Sequence, residues 1–477
     1  MSFDLGMPLG LTMALGPDLV VALAGLAAAI VYVVRGYGAT PGPIAVDNFR
    51  WVMDAIILVG TVAAIALGME DNDRQGVLVA ESHVLVLLAS SGMMLLAAAR
   101  DLMIVFLGIE LMSISVYALA GMNRRSERSA EGALKYFLLG AFSTAFLLYG
   151  IALIYGATGT VQLSQIGERL TDPALGVAAS PLLVAGVALL LVGFAFKVSA
   201  VPFHMWAPDV YDGAPTAITA YMAATVKAAA FAAFLRVWLE AFPETFGAWR
   251  PAVTLLAVAT MVVGNAVGLM QRNLKRLLAY SSIGHAGYLL VAVAADTPQA
   301  STAVVFYLLI YTLATFGAFA VVSALARPGE GTVTVDEISG LWLERPWLAT
   351  AMAVFMLALL GFPIFGGAGF FAKWYILQAV LNAPRPQTGL AITLVLTTVV
   401  SAGYYLYVVM VMFMRPRPAS DVATARSAGL TRGIIFVTAA LILLLGVAPD
   451  FAVRAARVAF PESRPAAGGT AAATATR

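Results

Sequence analysis

Cysteine is absent from all 477 residues, so the chain holds no disulfide and no iron–sulfur cluster through its usual thiolates. Histidine is nearly absent as well. His83 starts an apolar segment, His204 follows a proline and His285 lies mid-segment, a poor inventory for bis-histidine haem. Electron carriers, where the chemistry needs them, must sit on other chains. Charge is also scarce: 11% of residues are charged against 61% hydrophobic, and mean hydropathy is +0.90. That leaves too little polar surface for a soluble domain, and the composition is that of an integral membrane protein. A net charge of +2 decides nothing for such a protein, and no feature suggests nucleic-acid binding.

A helical span needs about 20 apolar residues. Segments of this kind run near 12–34, 51–69, 82–99, 101–121, 133–156, 181–200, 214–241, 250–270, 277–294, 302–326, 347–383, 388–414 and 430–450. They predict an all-α polytopic membrane protein, with one unusually long segment. The first apolar run has no basic residue before it, Arg35 being the first. This favours a retained anchor over a cleaved signal peptide, and no transit peptide is visible. Loops holding Arg124, Arg125 and Arg128, then Arg272, Lys275 and Arg276, then Arg415, Arg417, Arg426 and Arg432 fall on one side of the alternation. The positive-inside rule makes that side cytoplasmic, with the N-terminus inside and the C-terminus outside. Residues 461–477, rich in Ala, Gly and Thr, read as a disordered tail.

The two basic residue types are segregated. Of five lysines, Lys135, Lys197, Lys227 and Lys373 lie inside apolar segments and only Lys275 in an evident loop. The arginines cluster at loops and segment ends, and only Arg236 sits well within a span. Arginine stays protonated at any accessible pH, whereas burial can push a lysine toward neutrality, so lysine is the cation able to lose its proton. A mid-membrane lysine costs roughly 3 kcal/mol, and four cost about 10 kcal/mol unless each has a carboxylate or water partner.

Two stretches join such a lysine to a proline interruption. In GFAFKVSAVPFHMWAPDVYDGAPTA, Lys197 precedes Pro202, Pro208 and Pro215; in LLGFPIFGGAGFFAKWYI, Pro363 and Gly366, Gly367 and Gly369 precede Lys373. Irregular backbone at membrane depth is tolerated only where it is buried in protein or lines water, and paired broken helices mark ion paths in transporters. A simple Pro/Gly kink is the competing reading. The two lysines are 176 residues apart, one in each half, which suggests an internal duplication.

Glu110 is the clearest intramembrane acid, roughly 13 Å from either end of its segment at helical rise. It must be protonated or paired. An acid–lysine pair whose partners separate is a proton switch; a fixed structural ion pair is the alternative. Lys227 lies among alanines in YMAATVKAAAFAAF, twelve residues past Pro215 and too deep to snorkel. His285 shares a helix face with Ser281, Ser282 and Tyr288 and is either a relay or a histidine bonded to a neighbouring helix. Lys135 and His204 are secondary candidates: Lys135 follows Glu131 by four residues, while His204, Asp209 and Asp212 flank the first break. Asp54, near a span start, reads as an interfacial cap.

Several of these motifs, FLGIELMSISVYAL around Glu110, EGALKYFLLGAFSTAFLLYG, FKVSAVPFHMWAPDVYDGAPTAITA, QRNLKRLLAYSSIGHAGYLL and GFFAKWYIL, occur in the order found in one family. Over nearly its whole length the chain resembles the antiporter-like membrane subunits of respiratory complex I, most closely those of the subunit N type. Related subunits L and M and the multisubunit sodium/proton antiporters usually carry tryptophan before the glutamate, where this chain has Ile109.

The resemblance implies 13–14 transmembrane helices with two inverted five-helix repeats, each containing one broken helix. The repeats would cover 81–241 and 250–414, with 1–80 outside them, 415–460 as a C-terminal loop and last helix, and 461–477 as tail. The region before Asp47 looks one span short of the fourteen usual in bacteria. The resemblance places Glu110, Lys197, Lys227, His285 and Lys373 on a central proton axis. It further implies a subunit of a translocating NADH:quinone oxidoreductase in a bacterial cytoplasmic membrane, next to antiporter-like and small polytopic subunits and the lipid bilayer. No cofactor or metal is expected on this chain; NADH, FMN, iron–sulfur clusters and quinone would belong to the rest of the complex. The alternatives are a subunit of a secondary sodium/proton antiporter and a non-pumping structural subunit.

Overall fold

The structure, a computed structural model, describes residues 16–35, 42–75, 79–243, 245–326, 333–363, 367–416 and 429–460. In a bilayer every backbone N–H and C=O must find an internal partner, so apolar segments of this length become helices. Apart from single turns, these are α1 (Pro17–Arg35), α2 (Asn48–Gln75), α3 (Val79–Ala98), α4 (Leu102–Ala120), α5 (Glu127–Thr158), α6 (Leu163–Thr171), α7 (Pro181–Lys197), α8 (Trp206–Gly213), α9 (Thr216–Ala241), α10 (Phe246–Gly268), α11 (Leu274–Ala295), α12 (Pro298–Leu325), α13 (Pro346–Leu360), α14 (Gly367–Leu381), α15 (Thr388–Met414), α16 (Gly429–Val447) and α17 (Pro449–Val458). Eleven are long and apolar enough to cross a membrane, and α7 and α13 are shorter apolar helices. Together they occupy the thirteen expected segments, so the chain is a multi-pass, all-α membrane protein. Among the described residues β-pairing is limited to isolated bridges. Residues 12–15, Gly366, Arg417, Arg426 and the 461–477 tail lie outside the described residues.

The long segment 347–383 is not one helix. Helix α13 ends at Gly361, whose φ of +82° suits a residue without Cβ and whose N–H bonds back to Leu357 and Ala358. The chain restarts at Gly367. Likewise α7 stops at Lys197, turns through Ser199 and Pro202, and resumes as α8. Both proline interruptions are therefore breaks rather than kinks. Helices α6 and α17, short and amphipathic, were not foreseen, because their few apolar residues do not make a membrane-length run.

Two helix crossings share one construction. A Cβ on Gly92 of α3 would meet Met112 N of α4 at 2.6 Å, and one on Gly264 of α10 would meet Gly284 N of α11 at 2.5 Å. Only glycine permits backbones this close. After each crossing, a side chain caps the next helix: Asp101 accepts from Met103 N at the start of α4, and Asn273 accepts from Lys275 N at the start of α11. The same two residues form the bridges Asp101 to Gln162 and Asn273 to Thr334.

Burial is graded across the bundle. Helix α9 is wholly buried over its membrane window and α11 and α12 are 94% buried, while α5, α10 and α15 are 39% buried. The three central helices thus see protein on all sides, and polar groups on them must be met by other side chains or water.

Charged loops gather on one face. Arg276 bonds Asp209 (2.8 Å), Arg272 bonds the Tyr407 hydroxyl (2.7 Å) and Arg415 bonds Asp336 (3.2 Å). Glu70 at the end of α2 accepts from the Leu430 and Thr431 N–H groups and caps α16. On the opposite face, Arg236 grips Asp47 through two 2.9 Å bonds and Glu240 at 3.0 Å, and Arg100 holds Glu240 at 3.0 Å.

Candidate functional site

Each broken helix presents its lysine to polar groups of a neighbour. Lys197, at the last turn of α7, is buried and donates to Ser113 Oγ at 2.7 Å and to the Tyr117 hydroxyl at 3.3 Å, both on α4. Lys373, in the second turn of α14, donates to Leu360 O at 2.8 Å. That carbonyl closes α13, so the break supplies the acceptor. Its ammonium also sits 4.6 Å from the Tyr288 ring centre.

Between the two breaks, α9 carries Lys227. A π-helical turn over Met222–Val226 precedes it, and the lysine is 1% exposed. Its Nζ donates to Ser282 O at 2.5 Å and to Ser282 Oγ, and lies 5.7 Å from the Tyr311 ring centre. Among the described residues, neither Lys227 nor Lys373 has an ion pair. Buried ammonium groups met only by dipoles and rings are costly as fixed cations, and proton loss relieves that cost.

His285 lies within reach of the charge of both lysines. Its Nδ1 is 2.6 Å from the Tyr307 hydroxyl and its Nε2 3.1 Å from the Tyr405 hydroxyl, which also bonds Ser281. A cavity of about 10 Å³ is lined by His285, Tyr307, Tyr311 and Lys373. That is the lower limit of the room one water needs, and the rest of the lining, including Ile310 and Leu359, is apolar. Ser281, Ser282 and Tyr288 all bond outside their own helix, so the polar stripe expected on α11 is real; Tyr288 is held by Asn265 at 3.2 Å. The tyrosines that hold the imidazole come from α12 and α15 and were not identified from sequence.

Glu110 lies at the edge of the buried face of α4, three residues before Ser113 and seven before Tyr117. It is half-buried, and among the described residues it makes no ion pair; Lys197 is held by the two hydroxyls instead. The acid–lysine contact is therefore not closed within this chain.

Two expectations need correction, and a third residue gains a role. Lys275 is not a loop residue: it sits in the first turn of α11, 1% exposed, because α8 and the start of α9 pack over it. Asp54 is no interfacial cap. It lies within α2, fully buried, with Arg50 Nε 3.3 Å away. Arg236, noted only as lying within a span, is the centre of a buried cluster with Asp47 and Glu240. Arg236 outweighs the effect of burial on Asp47 and holds its carboxyl below the usual range.

Lys135 and His204 stand apart from the central line. Lys135 is partly exposed and bonds Glu131 (2.6 Å) and Asp209 (2.9 Å), so the expected i,i+4 pair is present. Burial pushes the Asp209 carboxyl up, but donors from Lys135 and Arg276 prevail and hold it low. His204 lies half-buried in the turn between α7 and α8, and its Nδ1 finds no partner among the described residues. Asp212 accepts from Asn273 at 2.6 Å.

Residues 99–401 match the family described as "NADH:quinone oxidoreductase/Mrp antiporter, TM". A protein from Gemmatimonas aurantiaca named NADH-quinone oxidoreductase subunit N is 52% identical over 447 residues, covering 93% of this chain and 85% of that protein. A protein of the same name from Trichlorobacter lovleyi is 44% identical over 398 residues, covering 83% and 80%. Among solved structures, a chain of respiratory complex I from Thermus thermophilus with bound aureothin superposes with a TM-score of 0.77 at 38% identity, covering 92% and 93%. A chain of the Mrp complex from Dietzia superposes at 0.82 with 22% identity, a likeness of fold.

Proposed function

The chain belongs to the NADH:quinone oxidoreductase/Mrp antiporter family, in its subunit N branch, and from that premise we propose that it moves protons across the membrane as NADH is oxidised by quinone on other subunits. The observation that supports this reading is a set of four buried ionisable groups, Lys197, Lys227, His285 and Lys373, which have no ion pair among the described residues and lie on or against the most enclosed helices. Quinone reduction changes the electrostatics at Glu110, and this shifts the protonation of Lys197. A proton then passes through water, Lys227 and His285 to Lys373. Serine and tyrosine hydroxyls beside Lys227 and His285, and the small cavity beside Lys373, support the last two steps. In this reading Glu110, half-buried and without an ion pair among the described residues, faces a neighbouring subunit.

The repeated glycine crossing, cap and bridge support reading 81–241 and 250–414 as two repeats. The second broken helix lies five crossings after the first and so runs in the opposite sense, as inversion requires. The arginine-bearing face is the cytoplasmic side of a bacterial inner membrane.

Replacing Lys227 by arginine tests the mechanism, because charge and donors remain while deprotonation does not. Proton pumping in the reconstituted complex is expected to fall at least about tenfold. Pumping at the wild-type ratio of protons to NADH would sink the idea. Co-migration of the chain with in-gel NADH dehydrogenase activity on a native gel checks the assembly; migration apart from that activity, with sodium-dependent proton exchange, would favour an antiporter.

A further inference from the structure

One buried ionisable group plays no part in that path. Lys275 donates to Ala214 O at 2.9 Å, a carbonyl at the junction between α8 and α9. Asp71 of α2 and Asp212 of α8 are the carboxylates whose charge reaches it. Asp71 is 2% exposed and accepts from Ser323 of α12 at 3.0 Å, whereas Asp212 is partly exposed. Arg276, Asp209 and Lys135 form the adjoining surface network. From water inward the order is therefore Asp212, then Lys275 with Asp71, all on the arginine-bearing face.

This cluster leads toward Lys227. Ser282, which holds the Lys227 ammonium, is seven residues beyond Lys275, two turns along the same face of α11 and about 10 Å deeper. Tyr211, next to Asp212 on α8, is buried, and its hydroxyl lies near the same Ser282. The buried hydroxyl of Thr216, two residues past Ala214, has no partner among the described residues. A buried hydroxyl so placed is a binding point for water.

We propose that Asp212, Lys275 and Asp71 form the proton intake on the arginine-bearing face, with Lys275 taking protons from water at Asp212 and passing them by way of Thr216-bound water, Tyr211 and Ser282 to Lys227. The proposal rests on the reading that Lys227 carries protons. Arginine keeps the charge and donors of a lysine that merely bolts the α8–α9 junction, but it cannot replace a lysine that gives up its proton.

The test uses the assembled complex in proteoliposomes with Lys275→Arg, alongside Lys227→Arg. The intake predicts normal assembly on a native gel and pumping reduced at least about tenfold in Lys275→Arg. Wild-type pumping in Lys275→Arg with loss in Lys227→Arg overturns the intake and leaves the parent reading intact. Wild-type pumping in both overturns both. Should Lys275→Arg fail to assemble, Asp212→Asn decides: slower proton capture makes pumping decline at lower pH than in wild type, and an unchanged pH profile refutes the intake.

Discussion

Methionine at position 236 removes the guanidinium while keeping most of the stem, and its consequences can be worked through bond by bond. Arg236, 3% exposed, donates to Asp47 twice at 2.9 Å, to Glu240 at 3.0 Å and to Ala97 O at 3.0 Å. It thereby ties the start of α2 and the end of α3 to α9. Removing one partner of a buried pair typically costs 3–5 kcal/mol, since the other charge stays buried and uncompensated. Here the lower end applies. Glu240 keeps Arg100 at 3.0 Å, and Asp47 is 16% exposed, so Arg236→Met should cost about 3 kcal/mol at pH 7.

The pH dependence has a definite sign. In wild type the Asp47 carboxyl lies below its ordinary 3.8, so its contribution is present above about pH 4 and lost as pH falls through the lowered value. In the variant the burial effect remains without its main opponent, so the carboxyl shifts upward and its penalty is relieved on acidification. The gap between the two proteins should be widest near neutrality and shrink toward about pH 4. Equilibrium unfolding in mixed SDS micelles across that range measures it, with Asp47→Asn added to Arg236→Met as a partial rescue. A gap under about 1 kcal/mol, or one independent of pH, would refute the reasoning.

Other substitutions probe separate parts of the structure. Gly264→Val forces α10 and α11 apart at a 2.5 Å contact and should cost about 1–3 kcal/mol, whereas Gly247→Ala, which meets open space, should be neutral in the same thermal unfolding assay. Glu70→Ala removes the cap of α16 and should cost about 1 kcal/mol, read as earlier proteolysis at the start of that helix. Tyr405→Phe takes a hydroxyl from between Ser281 and His285; proton pumping should drop about tenfold with NADH oxidation measured in parallel, and an unchanged pumping rate would remove Tyr405 from the path.

The spans were legible because a bilayer leaves an apolar run of twenty residues only one way to satisfy its backbone, and the breaks because proline and glycine cannot continue the ladder. Lys197, Lys227 and Lys373 were legible as ionisable groups inside apolar segments. Lys275 was not, since its neighbours Arg272 and Arg276 do face the surface and only the fold of α8 over α11 covers the residue between them. His285 could be placed on a polar stripe, but its tyrosine partners are 22 and 120 residues away, and local periodicity carries no information about them. Nor could the sequence show which lysine Glu110 would face, or that hydroxyls of Ser113 and Tyr117 are the partners of Lys197.

The π-helical turn over Met222–Val226 sets the aim of Lys227. Such a turn holds one residue more than α-helical winding would use, and everything after it is rotated by about 100° relative to an unbroken α-helix. Winding all five residues of that turn as ordinary α-helix would swing the ammonium away from Ser282 without changing any amino acid that touches it, whereas deleting one alanine would let α9 wind evenly and keep its aim. The orientation of this lysine is thus stored in the winding of the turn ahead of it. A residue inserted in an ancestral gene and taken up by such a bulge, rather than passed on to the rest of the helix, leaves the aim of everything beyond it in place.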